Sequence, residues 1–334
     1  MFLTLRKTLL QVATLTALLL MPAFTQAQIR LLRHPSYSKG KIAFSYLGDI
    51  WIANEDGTGA LRLTDNKARD VYPRFSPDGK YIAFSSNRDG NYDVFAIPSD
   101  GGRPRQLTFH TASDTVVGWT PDGKSVIFSS TMLSATDYAR LFTVPITGGV
   151  PKPLPFPAGV EASMSPDGKQ LAYIPNGKWQ QAWKRYRGGQ AAPIWVADIA
   201  TSTWKAIPRG NEDDKCPMWI GNSIFYVSDP KGIMGLFQYD LATRRTSEAV
   251  PGTGFDIKSA TAGPGAIAYE KLGSIWLYDL EKKTSTRVPI TIKGDFPEVR
   301  PEFKALRPSS YAISPSGQRV AVTARGLVFS LTAA

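Results

Sequence analysis

The chain alternates polar Pro/Gly turns with short apolar runs. Phe75-Ser76-Pro77-Asp78-Gly79-Lys80 leads into Tyr81-Ile82-Ala83-Phe84, Trp119-Thr120-Pro121-Asp122-Gly123-Lys124 into Ser125-Val126-Ile127-Phe128, and Met164-Ser165-Pro166-Asp167-Gly168-Lys169 into Gln170-Leu171-Ala172-Tyr173. Ser314-Pro315-Ser316-Gly317 opens a further copy. Proline presets the first central position of such a turn, aspartate bonds nearby backbone, and glycine accepts a positive φ, so strands must flank it. A second apolar run closes on an aromatic residue each time, at Trp51, Phe95, Phe142, Trp195, Phe237, Trp276 and Phe329.

Taking the first strand residue of each copy gives Ile42, Ile82, Val126, Leu171, Ile224, Ile267 and Val320. Periods of this size belong to propeller blades. An outer strand follows a Gly or Asp turn, as in Glu55–Gly59 before Leu61-Arg62-Leu63-Thr64 or Asp100-Gly101-Gly102 before Gln106-Leu107-Thr108. With the strand that leads into each Pro/Gly turn, a blade has four strands, and stacking on its neighbours supplies its core. The fold expected is all-β: a six-bladed β-propeller of four-stranded antiparallel blades over residues 32–295, then an incomplete blade. Pro297, Pro301 and Pro308 mark residues 296–308 as a linker, and residues 309–334 read as the truncated start of a second propeller, poorly ordered or aggregation-prone.

Residues 1–27 are a separate object. Arg6-Lys7, the apolar run Leu9 to Met21, Pro22 and the small residues Thr25 and Ala27 have the layout of a signal peptide cut after Ala27. The run is broken by Gln11, Thr14 and Thr16 and is short for a bilayer span of ~20 residues. Export to a periplasmic or secreted location is therefore expected, with no stable membrane span after cleavage. The formal net charge is +11; an exported chain rarely meets nucleic acid, so none is expected as a partner. The single cysteine, Cys216, forbids an internal disulfide, which leaves core packing to hold the fold.

Little catalytic chemistry is on offer. His34 and His110 are the only histidines, two blades apart, too few for a zinc triad or a His-based nucleophile, and no cofactor is expected. The same poverty argues against a propeller enzyme of the polysaccharide-lyase kind. Ser36-Tyr37-Ser38-Lys39 matches S-x-x-K only by letter. Asn87 to Asp93 places oxygen side chains alternately, but its glycine is misplaced for an EF-hand and no glutamate closes it; a hairpin between Phe84 and Phe95 accounts for it.

One stretch exceeds what a turn needs. In blade four the two aromatic residues, Tyr173 and Trp195, are 22 residues apart, against 7 to 14 elsewhere. The insertion holds Lys178, Trp179, Trp183, Lys184, Arg185, Tyr186 and Arg187, followed by Gly188-Gly189. Interleaved aromatic rings and cations can hold peptide carboxylates or rings by charge-assisted hydrogen bonds and stacking, so these seven residues form the candidate substrate-binding set. A surface loop that packs its own aromatics accounts for the same letters.

Trp183-Lys184-Arg185-Tyr186-Arg187-Gly188-Gly189, with Ile194-Trp195 soon after, resembles the fourth blade of tricorn-type proteases; the Pro/Asp/Gly turns alone look equally like TolB-type propellers. The resemblance runs from about Leu32 to Ser314-Pro315-Ser316-Gly317. It implies a six-bladed propeller followed by a seven-bladed one, a PDZ-like module and a serine-protease core, with propellers that guide peptides or unfolded segments. The family's nucleophile maps to no position here, so this polypeptide is expected to be inactive alone and to depend on protease domains or other protomers. The resemblance also implies an arginine pair before the third blade's inner strand, but that loop reads Phe109-His110-Thr111-Ala112-Ser113, with Arg103 and Arg105 nearby in sequence. The rival reading is a stand-alone periplasmic scaffold of TolB type that docks a protein partner on one face.

Overall fold

The computed structural model describes residues 30–134, 138–177, 186–292, 294, 307–324 and 326–332. The leader 1–27 and most of the 296–308 linker lie outside them. Every element among the described residues is a β-strand, and no helix there is long and apolar enough to cross a membrane. The chain divides into two compact units, Met1–Lys293 and Gly294–Ala334.

The larger unit holds six four-stranded antiparallel sheets, each built from consecutive strands. Sheet one runs Arg33–Ser38, Lys41–Tyr46, Asp49–Asn54 and Leu61–Arg62. The first strands of the other five are Asp70–Phe75, Asp114–Trp119, Glu161–Met164, Asp214–Ile220 and Ile257–Gly263. Each first strand packs against that of the next sheet, and Ile257–Gly263 packs against Arg33–Ser38.

The turn chemistry explains why the strands start where they do. Asp78 accepts hydrogen bonds from Ser76 Oγ at 2.6 Å and Lys80 N at 3.0 Å, while Gly79 takes φ +77°. Asp122 and Asp167 repeat both bonds, with Thr120 and Lys124 and with Ser165 and Lys169. Those donors favour the ionised carboxylate and hold all three aspartates below the ordinary carboxylate pKa.

Packing does the rest. Apolar clusters straddle the seams between sheets, such as Phe84, Ile97 and Ile50 between sheets one and two, and Phe128, Phe142 and Val94 between two and three. Phe84 stacks on Phe95 and Phe128 on Phe142, with centroids 5.9 and 5.5 Å apart. Burial at ~25 cal/mol per Å² of apolar surface makes these seams the main source of stability. Side-chain bonds add register: Phe75 N donates to Ser36 Oγ (3.1 Å), Val116 N to Ser85 Oγ (2.8 Å), Ser129 Oγ to Gly159 O (3.1 Å), Trp219 N to Ser163 Oγ (2.9 Å) and Lys215 Nζ to Lys258 O (2.9 Å). Sheet six is tied to sheet one by Thr261 Oγ1 donating to Pro35 O at 2.8 Å, Leu32 N to Gly273 O at 3.1 Å, and an Arg33–Glu270 ion pair at 2.8 Å.

The smaller unit holds one three-stranded antiparallel sheet, Ser310–Ile313, Arg319–Ala324 and Leu327–Thr332. Ser314 to Gly317 forms its first turn, with Gly317 at φ +70°.

Candidate functional site: the central channel

The six first strands enclose a cavity of about 1230 Å³. They form the edge of each sheet, so one side of each backbone carries no ladder partner from its own sheet, and proline can be accepted there. Three of them use the same device: His34-Pro35, Tyr72-Pro73 and Cys216-Pro217 each sit at a bulge, between the paired residues Arg33/Ser36, Val71/Arg74 and Lys215/Met218. His34, Tyr72 and Cys216 take φ of +51°, +56° and +53°, a region that costs a non-glycine residue about 1–3 kcal/mol. All three line the cavity. The signal in sequence was available: each proline stands two residues before an aromatic residue, Tyr37, Phe75 or Trp219.

His34 and Cys216 are held in unreactive protonation states. Burial, then the charges of Arg74, Arg33 and Arg69, lowers the His34 pKa to about 3, so the imidazole is neutral, and it lies against the Tyr72 ring at 4.2 Å. Burial, then the nearby Glu161, pushes the Cys216 thiol up to about 12. A thiolate nucleophile needs the opposite shift. Cys216 N donates to Glu161 Oε2, which joins sheets four and five.

Several charged groups of the wall have partners within the protein. Arg33 pairs with Glu270, and Glu270 also accepts from Ser259 Oγ at 3.2 Å. Arg209 lies 3.3 Å from Asp214, yet burial still raises Asp214 to about 7. Arg74 donates to two backbone carbonyls, Val117 O at 3.1 Å and Pro73 O at 2.9 Å, and its own carbonyl accepts from Trp119 Nε1 at 2.9 Å. The remaining lining mixes small and hydroxyl residues such as Thr115, Gly118, Ser163 and Ala260 with larger apolar ones such as Phe75, Trp119, Met218 and Trp219. A Cβ placed on Gly118 would meet nothing within 4 Å.

Of the seven insertion residues, Lys178, Trp179, Trp183, Lys184 and Arg185 lie outside the described residues; Tyr186 and Arg187 are placed. Arg187 Nη1 donates to both carboxylate oxygens of Asp229 at 3.1 Å and Nη2 to its carbonyl at 3.0 Å. Asp229 also accepts from Asp213 N at 2.8 Å. The charge of Arg187 is thus engaged by sheet five. The Tyr186 hydroxyl lies over Gly188, where an added Cβ would require the tyrosine ring to move. In the loop before the third inner strand, Phe109 and His110 are exposed, and Arg105 donates instead to Thr147 O on sheet three. Asn87–Asp93 is a hairpin loop: Asn87 accepts from Arg69 N at 2.7 Å, and Arg88 binds Asp70 at 3.1 Å and covers the Phe95 ring at 4.4 Å.

Four-stranded antiparallel sheets set side by side, with their first strands around a common cavity, define a β-propeller. Residues 29–284 match the tricorn protease N-terminal beta propeller domain, and the chain belongs to that family. It is 29% identical over 268 residues to tricorn protease homolog 1 of Streptomyces coelicolor, covering 79% of this chain and 25% of that protein. It is 23% identical over 312 residues to the tricorn protease homolog of Saccharolobus solfataricus, covering 89% and 28%. The chain thus spans about a quarter of these relatives. The crystal structure of the tricorn protease superposes with a TM-score of 0.73 at 21% identity, covering 91% of this chain and 30% of that one. TolB from Acinetobacter baumannii gives 0.54 at 19% identity, over 68% and 56%; at such identities the likeness concerns the fold.

Proposed function

We propose that the six sheets are the blades of one closed propeller and that its channel guides unfolded peptide segments for a tricorn-type serine peptidase, the propeller itself supplying no catalytic group. The observation that carries this reading is the wall of the channel: small and hydroxyl side chains interspersed with aromatic and methionine side chains, several charges paired inside the protein, a neutral histidine and a protonated thiol. Such a surface can pass varied polypeptide without holding one sequence tightly or reacting with it. The insertion residues Lys178 to Arg187, in the connection between the second and third strands of sheet four, remain the candidate contacts to the segment. The leader 1–27 directs export, with cleavage after Ala27; mass spectrometry of the protein from its native host should find residue 28 at the N-terminus.

The channel reading is tested with Gly118→Trp. This backbone is free of positive φ and the added side chain enters open space, so the fold should hold while the channel narrows. Fluorescence anisotropy with a labelled unfolded polypeptide should then show at least a tenfold loss of binding at unchanged melting temperature. Full binding by that variant would remove the channel from the mechanism and favour the TolB-type alternative, a scaffold that docks its partner on an outer face.

A further inference from the structure

A second pocket, of about 300 Å³, opens at sheet six, and the repeat provides its own control. In sheet one, Arg62 on the outer strand stands opposite Trp51, and two residues before that tryptophan is Asp49. Arg62 Nε and Nη2 donate to Asp49 Oδ2 at 3.0 and 2.5 Å. Sheet two keeps the acid: Gln106 stands opposite Phe95 and donates to Asp93 at 3.3 Å. In sheet six, Arg287 stands opposite Trp276 in the same register, but the residue two before the tryptophan is Ser274. Arg287 Nη2 donates to Ser274 Oγ at 2.9 Å, and no carboxylate pairs with Arg287 among the described residues.

Sheets one and two carry a carboxylate at this position and sheets three to five carry Arg140, Pro193 and Gly235; in sheet six, where an arginine stands opposite the tryptophan as in sheet one, the carboxylate is absent and a pocket stands there. Arg30 and Lys271 line it beside Arg287; Phe255, Trp276 and Thr253 supply apolar and hydroxyl surface; among the described residues no acidic side chain lines it. Arg30 arrives because residues 30–32 cross the Leu272-Gly273 turn: Leu32 N donates to Gly273 O, and a Cβ on Gly273 would come within 2.8 Å of Leu31 N. Three cations with no counter-ion among the described residues, beside an exposed phenylalanine and a tryptophan, form a site for an anion carried on an apolar group.

We infer that this pocket binds a carboxylate borne on an apolar or aromatic group, as on a peptide end, with Arg287 making the contact that Arg62 makes to Asp49. Carboxylate is the anion of choice because sheet one, the sheet that shares the arginine opposite a tryptophan, fills this position with one, as does sheet two. The site goes beyond the channel reading and does not depend on it.

The probe is N-acetyl-L-phenylalanine, titrated into the full chain by calorimetry, with N-acetyl-L-phenylalaninamide as its uncharged twin. The acid should bind at least tenfold more tightly than the amide, since a charge-assisted pair contributes roughly twice a neutral bond. Ser274→Asp, which rebuilds the internal pair of sheet one, should cut affinity for the acid about tenfold or more while the melting temperature holds or rises; Arg287→Gln should cut it similarly. Gly118→Trp should leave it unchanged, which separates this site from the channel. Equal binding of acid and amide, full binding by Ser274→Asp, loss of binding in Gly118→Trp, or displacement by an equal concentration of inorganic phosphate would each overturn the assignment.

Discussion

Val94 and Val328 occupy the same place in the repeat, each just before a phenylalanine on the third strand of its sheet. Val94 is 0% exposed and Val328 is 71% exposed. The turns that precede them are closed alike, by Gly79 N donating to Ser76 O at 2.8 Å and Gly317 N to Ser314 O at 2.9 Å. Tyr311, Ile313, Leu327 and Leu331 of the three-stranded sheet are exposed as well, whereas Ile82, Ala83 and Phe84 of sheet two are buried. The turn phrase is thus a local instruction, sufficient to fold a hairpin. Burial comes from the next sheet, because a single repeat cannot cover both of its own faces.

This contrast can be broken by mutation. The largest effect is expected from Phe84→Ala, which empties a seam between sheets and should cost about 3–5 kcal/mol in urea unfolding; a loss below ~1 kcal/mol would mean that the seam does not support the larger unit. The matched pair comes next. Val94→Ala should cost about 2 kcal/mol and Val328→Ala no more than ~0.5 kcal/mol, and equal costs would erase the distinction.

The larger unit also buries charge, and this predicts a pH effect. Folding raises the Asp214 pKa from 3.8 to about 7, so the folded protein holds a proton that the unfolded chain releases. The stability from that proton is full below pH ~4 and is lost as the pH rises toward 7. Asp93, raised by burial and by Asp114 to about 6, acts in the same direction. His34, lowered from 6.5 to about 3, acts in the opposite one, costing stability as the pH falls below 6.5. Asp214→Asn should therefore gain on the parent between pH 5 and pH 8, on the order of 2 kcal/mol, in parallel urea titrations; a pH-independent difference would contradict the assignment. The smallest perturbation is hydrogen exchange: amides of Tyr81–Ser86 should exchange only with unfolding of the larger unit, and those of Arg319–Ala324 faster. Matching rates would show that burial does not separate the two sheets.

The turns were legible in sequence because their bonds are short-range: Asp78 reaches Lys80, and Ser76 Oγ accepts from Tyr81 N at 3.0 Å. The repeated spacing then made the all-β propeller class readable. The insertion in sheet four was also visible, but the partner of Arg187 was not, since Asp229 lies 42 residues on. The channel bulges left a trace in His34-Pro35, Tyr72-Pro73 and Cys216-Pro217, though no single X-Pro pair says which way its side chain faces. The missing acid at Ser274 was harder still, because it becomes visible only when sheets one and six are aligned through Trp51 and Trp276.

Strands, turns and their repetition follow from the order of residues alone, since each depends on residues within a few positions of one another. Which valines are core, which charges are neutralised and where Arg287 faces Ser274 instead of an acid are settled only when the sheets pack together. Those outcomes depend on contacts between separate sheets, and Thr261 meeting Pro35 across 226 residues exists only once the first sheet lies against the sixth.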